Sequence, residues 1–234
     1  MDCVIFLTHH FNAEFIKQLR KIDNDANLYH YKVIVLFDKE NEYDETINGL
    51  FKSIKIIKIN RINTSYHNGG HSMYINYFRQ NYEEIQKYRY FWIIENNVYY
   101  PDCFIDFFHI HEPFNYDLMV SEYGVRSTNW CWTSSLSGFS RIQHIGVLAV
   151  ISRFSQRLLF ELIDGLDNVY EGYLEAFLPH LCLEQGLSIQ QFLPEMCGIM
   201  TGSNNFGLMN LVKNDILKNR RDYLETKIYY PFEL

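Results

Sequence analysis

The chain has 234 residues, 47% of them hydrophobic and 17% aromatic, enough to bury a sizeable core in one large domain. A net charge of -7 with a pI near 5.7 argues against the basic face that nucleic-acid binding needs, and no apolar run approaches the roughly 18–20 residues of a membrane helix. Five cysteines with no C-x-x-C pair, and no basic leader after Met1, point to reduced buried thiols in the cytoplasm.

The first apolar run, residues 3–7, predicts a buried strand ending at Thr8-His9-His10. Thr8 or Asn12 would cap the helix that follows, where Phe15, Ile16 and Leu19 stand at helical spacing. Residues 32–38 predict a second buried strand ending on Asp38, and 54–59 a third that alternates Ile with Lys. A loop over 65–71 carries Asn68-Gly69-Gly70, and 72–88 reads as a Tyr-rich amphipathic helix. Then comes Tyr90-Phe-Trp-Ile-Ile-Glu95, nearly continuous in its apolarity and followed by Asn96 and Asn97. A buried parallel strand has this form, with polar groups only where it emerges at its carboxyl end, and ligands bind at that end in open α/β sheets. Strand and helix alternating over the first hundred residues predict a parallel sheet with right-handed crossovers.

In the second half, 103–110 reads as a helix and 117–123 as a strand. Residues 124–143 are polar and without period, a length that is usually functional or mobile, and they carry Trp130 and Trp132. A strand over 144–152 and helices over 155–166 and 171–186 follow, the last closed by Gly186. A strand over 188–193, a loop over 198–207, a helix over 208–224 and a tail complete the chain.

Candidate chemistry lies at the strand ends: Thr8, Asp38, Glu95, Asn96 and Asn97, with Glu171 and Glu175 near the start of the later helix. The histidines at 9, 10, 67, 71, 109 and 111 match no closed metal-site spacing, so no metal site is assigned to them. No G-x-S-x-G is present, which leaves nucleophilic hydrolysis without support.

The segment Phe91-Trp-Ile-Ile-Glu-Asn-Asn-Val98 resembles the "FW-x-x-E-D-D-V" strand of GT-A glycosyltransferases, in particular small domains of algal and giant viruses and their eukaryotic relatives. Glu175-Ala-Phe-Leu-Pro179 is similar to an "E-x-x-x-P" helix of that group, and Arg153-Phe-Ser155 and the tail from Tyr229 fall where it has an "R-x-S" element and a "y-H-P-x-K" ending. The resemblance implies a single α/β domain over 1–234, with a mixed, mostly parallel sheet flanked by helices. It implies a nucleotide-diphosphate sugar as donor and a glycan or protein acceptor, with no nucleic-acid partner and no membrane span. Thr8 and Asp38 would touch the nucleoside, Glu95, Asn96 and Asn97 would occupy the metal motif, and Glu175 or Glu171 would be the base. The chain departs from the pattern: Asn96 and Asn97 replace two aspartates, and Tyr230 replaces the histidine. Amides supply a dipole and no charge, so a bound Mn or Mg ion is doubtful. Two expectations stand side by side. One is a metal-independent transferase in which Arg126, Arg141 or Arg153 stabilises the diphosphate. The other is a catalytically inactive GT-A-fold protein that binds a glycan, a nucleotide-sugar or a partner.

Overall fold

The apolar runs become strands laid side by side, because each is hydrophobic on both faces and can be buried only between two layers of helix. In the computed structural model, which describes residues 1–26, 29–61, 71–100, 103–126, 130–168, 172–200 and 228–230, β1 is Cys3–Thr8, β2 Lys32–Asp38, β3 Lys55–Ile59, β4 Tyr90–Glu95, β5 Leu118–Val125, β6 Ile145–Ser155 and β7 Ile189–Gln191. They form one seven-stranded sheet in the order β3-β2-β1-β4-β6-β5-β7. Every neighbouring pair is parallel except those of β6, which runs against both β4 and β5. The sheet is therefore mixed and mostly parallel, as expected. β8 (Cys197–Met200) and β9 (Ile228–Tyr230) pair in parallel as a separate ribbon, so a strand begins where the sequence reads as a loop.

Among the described residues six α-helices flank the sheet. α1 (Ala13–Ala26) and α4 (Phe104–His111) pack on one face with Val4, Phe6, Val35, Trp92 and Ile94. α2 (His71–Gln80), α5 (Gln156–Asn168) and α6 (Leu174–Glu184) pack on the other with Ile5, Leu36, Phe91 and Ile93. Asn12 caps α1, its Oδ1 accepting from Phe15 N at 2.8 Å. The helix expected over 72–88 breaks at Asn81, which leaves helical dihedrals (φ -131°, ψ 46°) and donates Nδ2 to the Tyr77 carbonyl at 2.8 Å; the short α3 (Tyr82–Ile85) follows. Ser155 ends β6 and caps α5 through its Oγ, which accepts from Leu158 N at 3.0 Å, so the strand is longer than its sequence pattern. The expected helix over 208–224 and the Asn68-Gly69-Gly70 loop lie outside the described residues.

Two features of the fold bear on function. The first is a break in the β5–β6 register: Val120 pairs with Ser152 and Glu122 with Leu148, so residues 149–151 of β6 stand opposite Ser121 alone. Such bulges re-aim backbone and side chains, and they are over-represented beside active sites. The second is the fixing of the β2–β3 connection by Asp23 of α1. Its buried carboxylate accepts from Lys52 N (2.8 Å), Ser53 N (2.7 Å) and Ile54 N (3.1 Å), which sets where β3 begins.

Asp23→Ala orphans three backbone donors at once. It is expected to lower unfolding free energy by about 3 kcal/mol in urea titrations, with Asp23→Asn costing about half as much.

Candidate active site at the carboxyl edge

Because all strands but β6 run the same way, the ends of β1, β2, β4 and β5 lie along one edge, together with the start of β6. Two groups of side chains gather there. The first stands over β1, β2 and β3. Asp38 is buried, and its carboxylate accepts from Glu40 N (3.2 Å) and Asn41 Nδ2 (3.2 Å) and pairs with Arg61 Nε at 2.7 Å. Beside it Phe11 stacks on Phe37 (5.4 Å between centroids, 7° between planes), and Tyr43 leans on the same ring at 4.6 Å. Thr8 is buried, and its hydroxyl is taken up in its own turn, donating to the His10 carbonyl and accepting from His10 N.

The second group stands over β4, β5, β6 and α6. Phe91 and Ile93 face the α2–α5–α6 side of the sheet, and strand alternation puts Glu95 on that side, toward α6. Burial pushes the Glu95 carboxyl up to about 7. Glu175 sits in the first turn of α6, and burial pushes it up to about 8; the Ala149 N–H holds it down somewhat, while the Glu95 charge raises it further. The Ala149 N–H reaches Glu175 Oε1 at 3.4 Å because the β6 bulge turns it out of the ladder. Four residues on, Pro179 lies inside α6 and has no N–H to give the Glu175 carbonyl. Glu122, near the end of β5, forms an ion pair with Arg126, and both charges reach Glu175. Arg126 Nε is buried without an acceptor among the described residues, and its guanidinium lies over the Trp130 ring at 5.4 Å. Gly146 makes room for both: a Cβ there would overlap the Trp130 ring and come within 3.0 Å of Arg126 Nε.

Some expected site residues are not brought into this group. Arg153 is fully buried on the opposite face. Its Nη1 donates to the carbonyls of His111 (3.0 Å) and Phe114 (2.8 Å), and its guanidinium lies 3.5 Å from the Tyr90 ring centroid. It pairs across the ladder with Trp92, and the period of two separates that face from Glu95. Asn96 borders a shallow polar recess with Asn12 and Gln18, toward α1. Asn97 Oδ1 is buried without a donor among the described residues. Arg141 is exposed on the β5–β6 connection, and Glu171 lies outside the described residues. Glu122 and Arg61 are members that the sequence reading missed. Glu122 had the same signal as Glu95, an apolar run meeting a carboxylate.

Among the described residues no three His, Cys, Asp or Glu side chains are placed to hold a metal ion. The position matched to the metal motif offers one carboxyl pushed toward its neutral form and two amides, a donor set unsuited to a hard divalent ion. His111 is a core residue, with Nδ1 against the Phe107 carbonyl (2.8 Å) and Nε2 accepting from Leu193 N (3.2 Å). Among the described residues no helix is long and apolar enough to cross a membrane.

No protein-family model matches the chain, and no curated protein matches it. Among solved structures it is similar to a nucleoside-diphosphate-sugar pyrophosphorylase from Vibrio cholerae RC9, at 11% identity and a TM-score of 0.45, over 82% of this chain and 91% of that one. It is also similar to core-mannan synthase A from Aspergillus fumigatus in an Mn/GDP form, at 13% identity and a TM-score of 0.43, over 82% of this chain and 72% of that one. Likenesses this slight transfer no residue roles.

The carboxyl pair makes stability depend on pH. Both groups are raised from 4.5, so the stability their protonated forms contribute is complete below pH 4.5 and is lost as pH rises through about 7 and about 8. Glu95→Gln and Glu175→Gln are therefore expected to raise the melting temperature at pH 8 and to change it little at pH 5. Scanning calorimetry at the two pH values checks this. Gly146→Ala is expected to displace the Trp130 ring, costing about 1–3 kcal/mol and changing the near-UV circular dichroism.

Proposed function

We propose that the protein is a GT-A-type glycosyltransferase, moving a sugar from a nucleotide-diphosphate sugar to an acceptor hydroxyl without a carboxylate-held divalent ion. The observation that carries this reading is the enclosed Glu95–Glu175 pair beside Arg126 at the carboxyl edge of the sheet. A general base works best with a pKa near the operating pH, and enzymes reach that value for glutamate by burial and a like-charged neighbour. Both causes act on Glu175.

In this reading Glu175 takes the proton of the acceptor hydroxyl as that oxygen bonds to the anomeric carbon. The bond from the same carbon to the diphosphate breaks, and the nucleoside diphosphate departs with the electron pair. Arg126, whose buried Nε has no acceptor among the described residues, takes up the developing charge. The donor's nucleoside would lie over the Phe11–Phe37–Tyr43 rings and the Asp38–Arg61 pair. The ion pair fixes a carboxylate edge for hydrogen bonding there.

Isothermal calorimetry with uridine and guanosine diphosphates, with and without manganese, tests the proposal. Binding of one of them with an affinity unaffected by manganese is expected; no binding under either condition overturns it. Glu175→Gln should lower turnover by about 10²–10⁴-fold while leaving nucleotide affinity intact. The wild-type rate should climb as pH rises through about 7 to 8, as the pair ionises. Nucleotide binding with no transfer at any pH would instead support the inactive binding module.

A further inference from the structure

Three aromatic rings that the transfer step does not use run from Arg126 to the start of α6. The centroids of Trp130 and Trp132 lie 5.3 Å apart, and Trp132 stacks on Tyr173 at 5.7 Å with 29° between planes. Tyr173 is 42% exposed and stands at the N-cap of α6, two residues before Glu175. The rings are anchored. Trp130 lies across the space that Gly146 leaves open. Ser135 Oγ donates to the Trp132 carbonyl at 2.7 Å and accepts from Tyr173 N at 2.9 Å, joining the two ring-bearing segments through one hydroxyl. Gly172, at φ +149°, packs so closely on Leu136 that a side chain there would overlap it.

We infer that the Trp132–Tyr173 surface seats the acceptor, and that the acceptor is a neutral carbohydrate stacked by its C–H face with one hydroxyl directed to Glu175. The inference rests on the transfer reading for the role of Glu175. The exposed Tyr173 ring, backed by Trp132 and with hydrogen-bonding groups at one end, matches a ring that is apolar on its face and polar at its rim. Other ligand classes fit less well. An anionic acceptor would meet Glu122 and the ionised form of Glu175, and in the transfer reading Arg126 is taken by the donor's diphosphate. An acyl chain would give the buried Arg126 Nε no acceptor. A cationic ligand would compete with Arg126, which already occupies the Trp130 face.

The test is tryptophan-fluorescence titration of the full chain with neutral trisaccharides of glucose, mannose and N-acetylglucosamine, and with tetramethylammonium as a cation control. One trisaccharide should bind. Tyr173→Ala and Trp132→Ala should each weaken it about tenfold, and Tyr173→Phe, which keeps the ring, should restore affinity to within about twofold of wild type. Melting curves of each variant separate lost binding from lost fold. If no trisaccharide binds, if tetramethylammonium binds in preference, or if folded Tyr173→Ala binds as wild type does, the inference is overturned. Nucleotide calorimetry on the wild type separates the two proposals. Diphosphate binding without saccharide binding removes the acceptor surface alone, and saccharide binding without diphosphate binding removes the transfer reading alone.

Discussion

The edge where the candidate site stands exists because β6 runs against its neighbours. A parallel strand between β4 and β5 would have begun at the opposite edge and brought its incoming connection there. Reversed, β6 enters beside the end of β4, and the whole segment between β5 and β6 is kept at the edge where ligands bind in sheets of this kind. The aromatic rings, Arg126 and the Gly146 opening all belong to that segment or its anchors. The bulge at 149–151 adds the last element, turning the Ala149 N–H toward Glu175.

Holding two carboxyls in that place is unfavourable for the fold. Burial pushes each of them toward its neutral form. Arg126 is drawn chiefly to the more exposed Glu122. Several polar groups of the surrounding frame are paired. Asp23 meets three backbone donors, and Asp117 ties the ends of β6 and β7 together through Ser155 Oγ (2.8 Å) and Ser188 Oγ (2.9 Å). His180 bridges Ala176 O (2.7 Å) and Gln143 N (2.9 Å), pinning the β5–β6 segment onto α6.

Much of the frame was legible in the residues. Apolar runs that end on Thr8, Asp38 and Glu95 announce parallel strands, and Asn12 before Phe15 announces the start of α1. Helix 72–88 was misread as continuous because its apolar period runs through Asn81, while the break depends on one local hydrogen bond to Tyr77. Arg153 is a candidate for the diphosphate only through the resemblance, because Arg153-Phe-Ser155 falls where the GT-A glycosyltransferases it resembles have their "R-x-S" element. The aromatic rings of Tyr90 and Trp92 and the carbonyls of His111 and Phe114 hold it as a core residue.

The sequence by itself determined the period-two and apolar patterning, and with it the strands, their burial and the carboxylates at their ends. That information is local, since each run carries it in its own composition. The tertiary structure decided which ends meet. Strand order, the reversal of β6 and its bulge place Glu175 near Glu95, draw Glu122 and Arg126 to them, and send Arg153 and Asn96 to the other face. Those relations are long-range, set by which strands pair and by the strict alternation of side chains across a sheet, so no single stretch of residues encodes them.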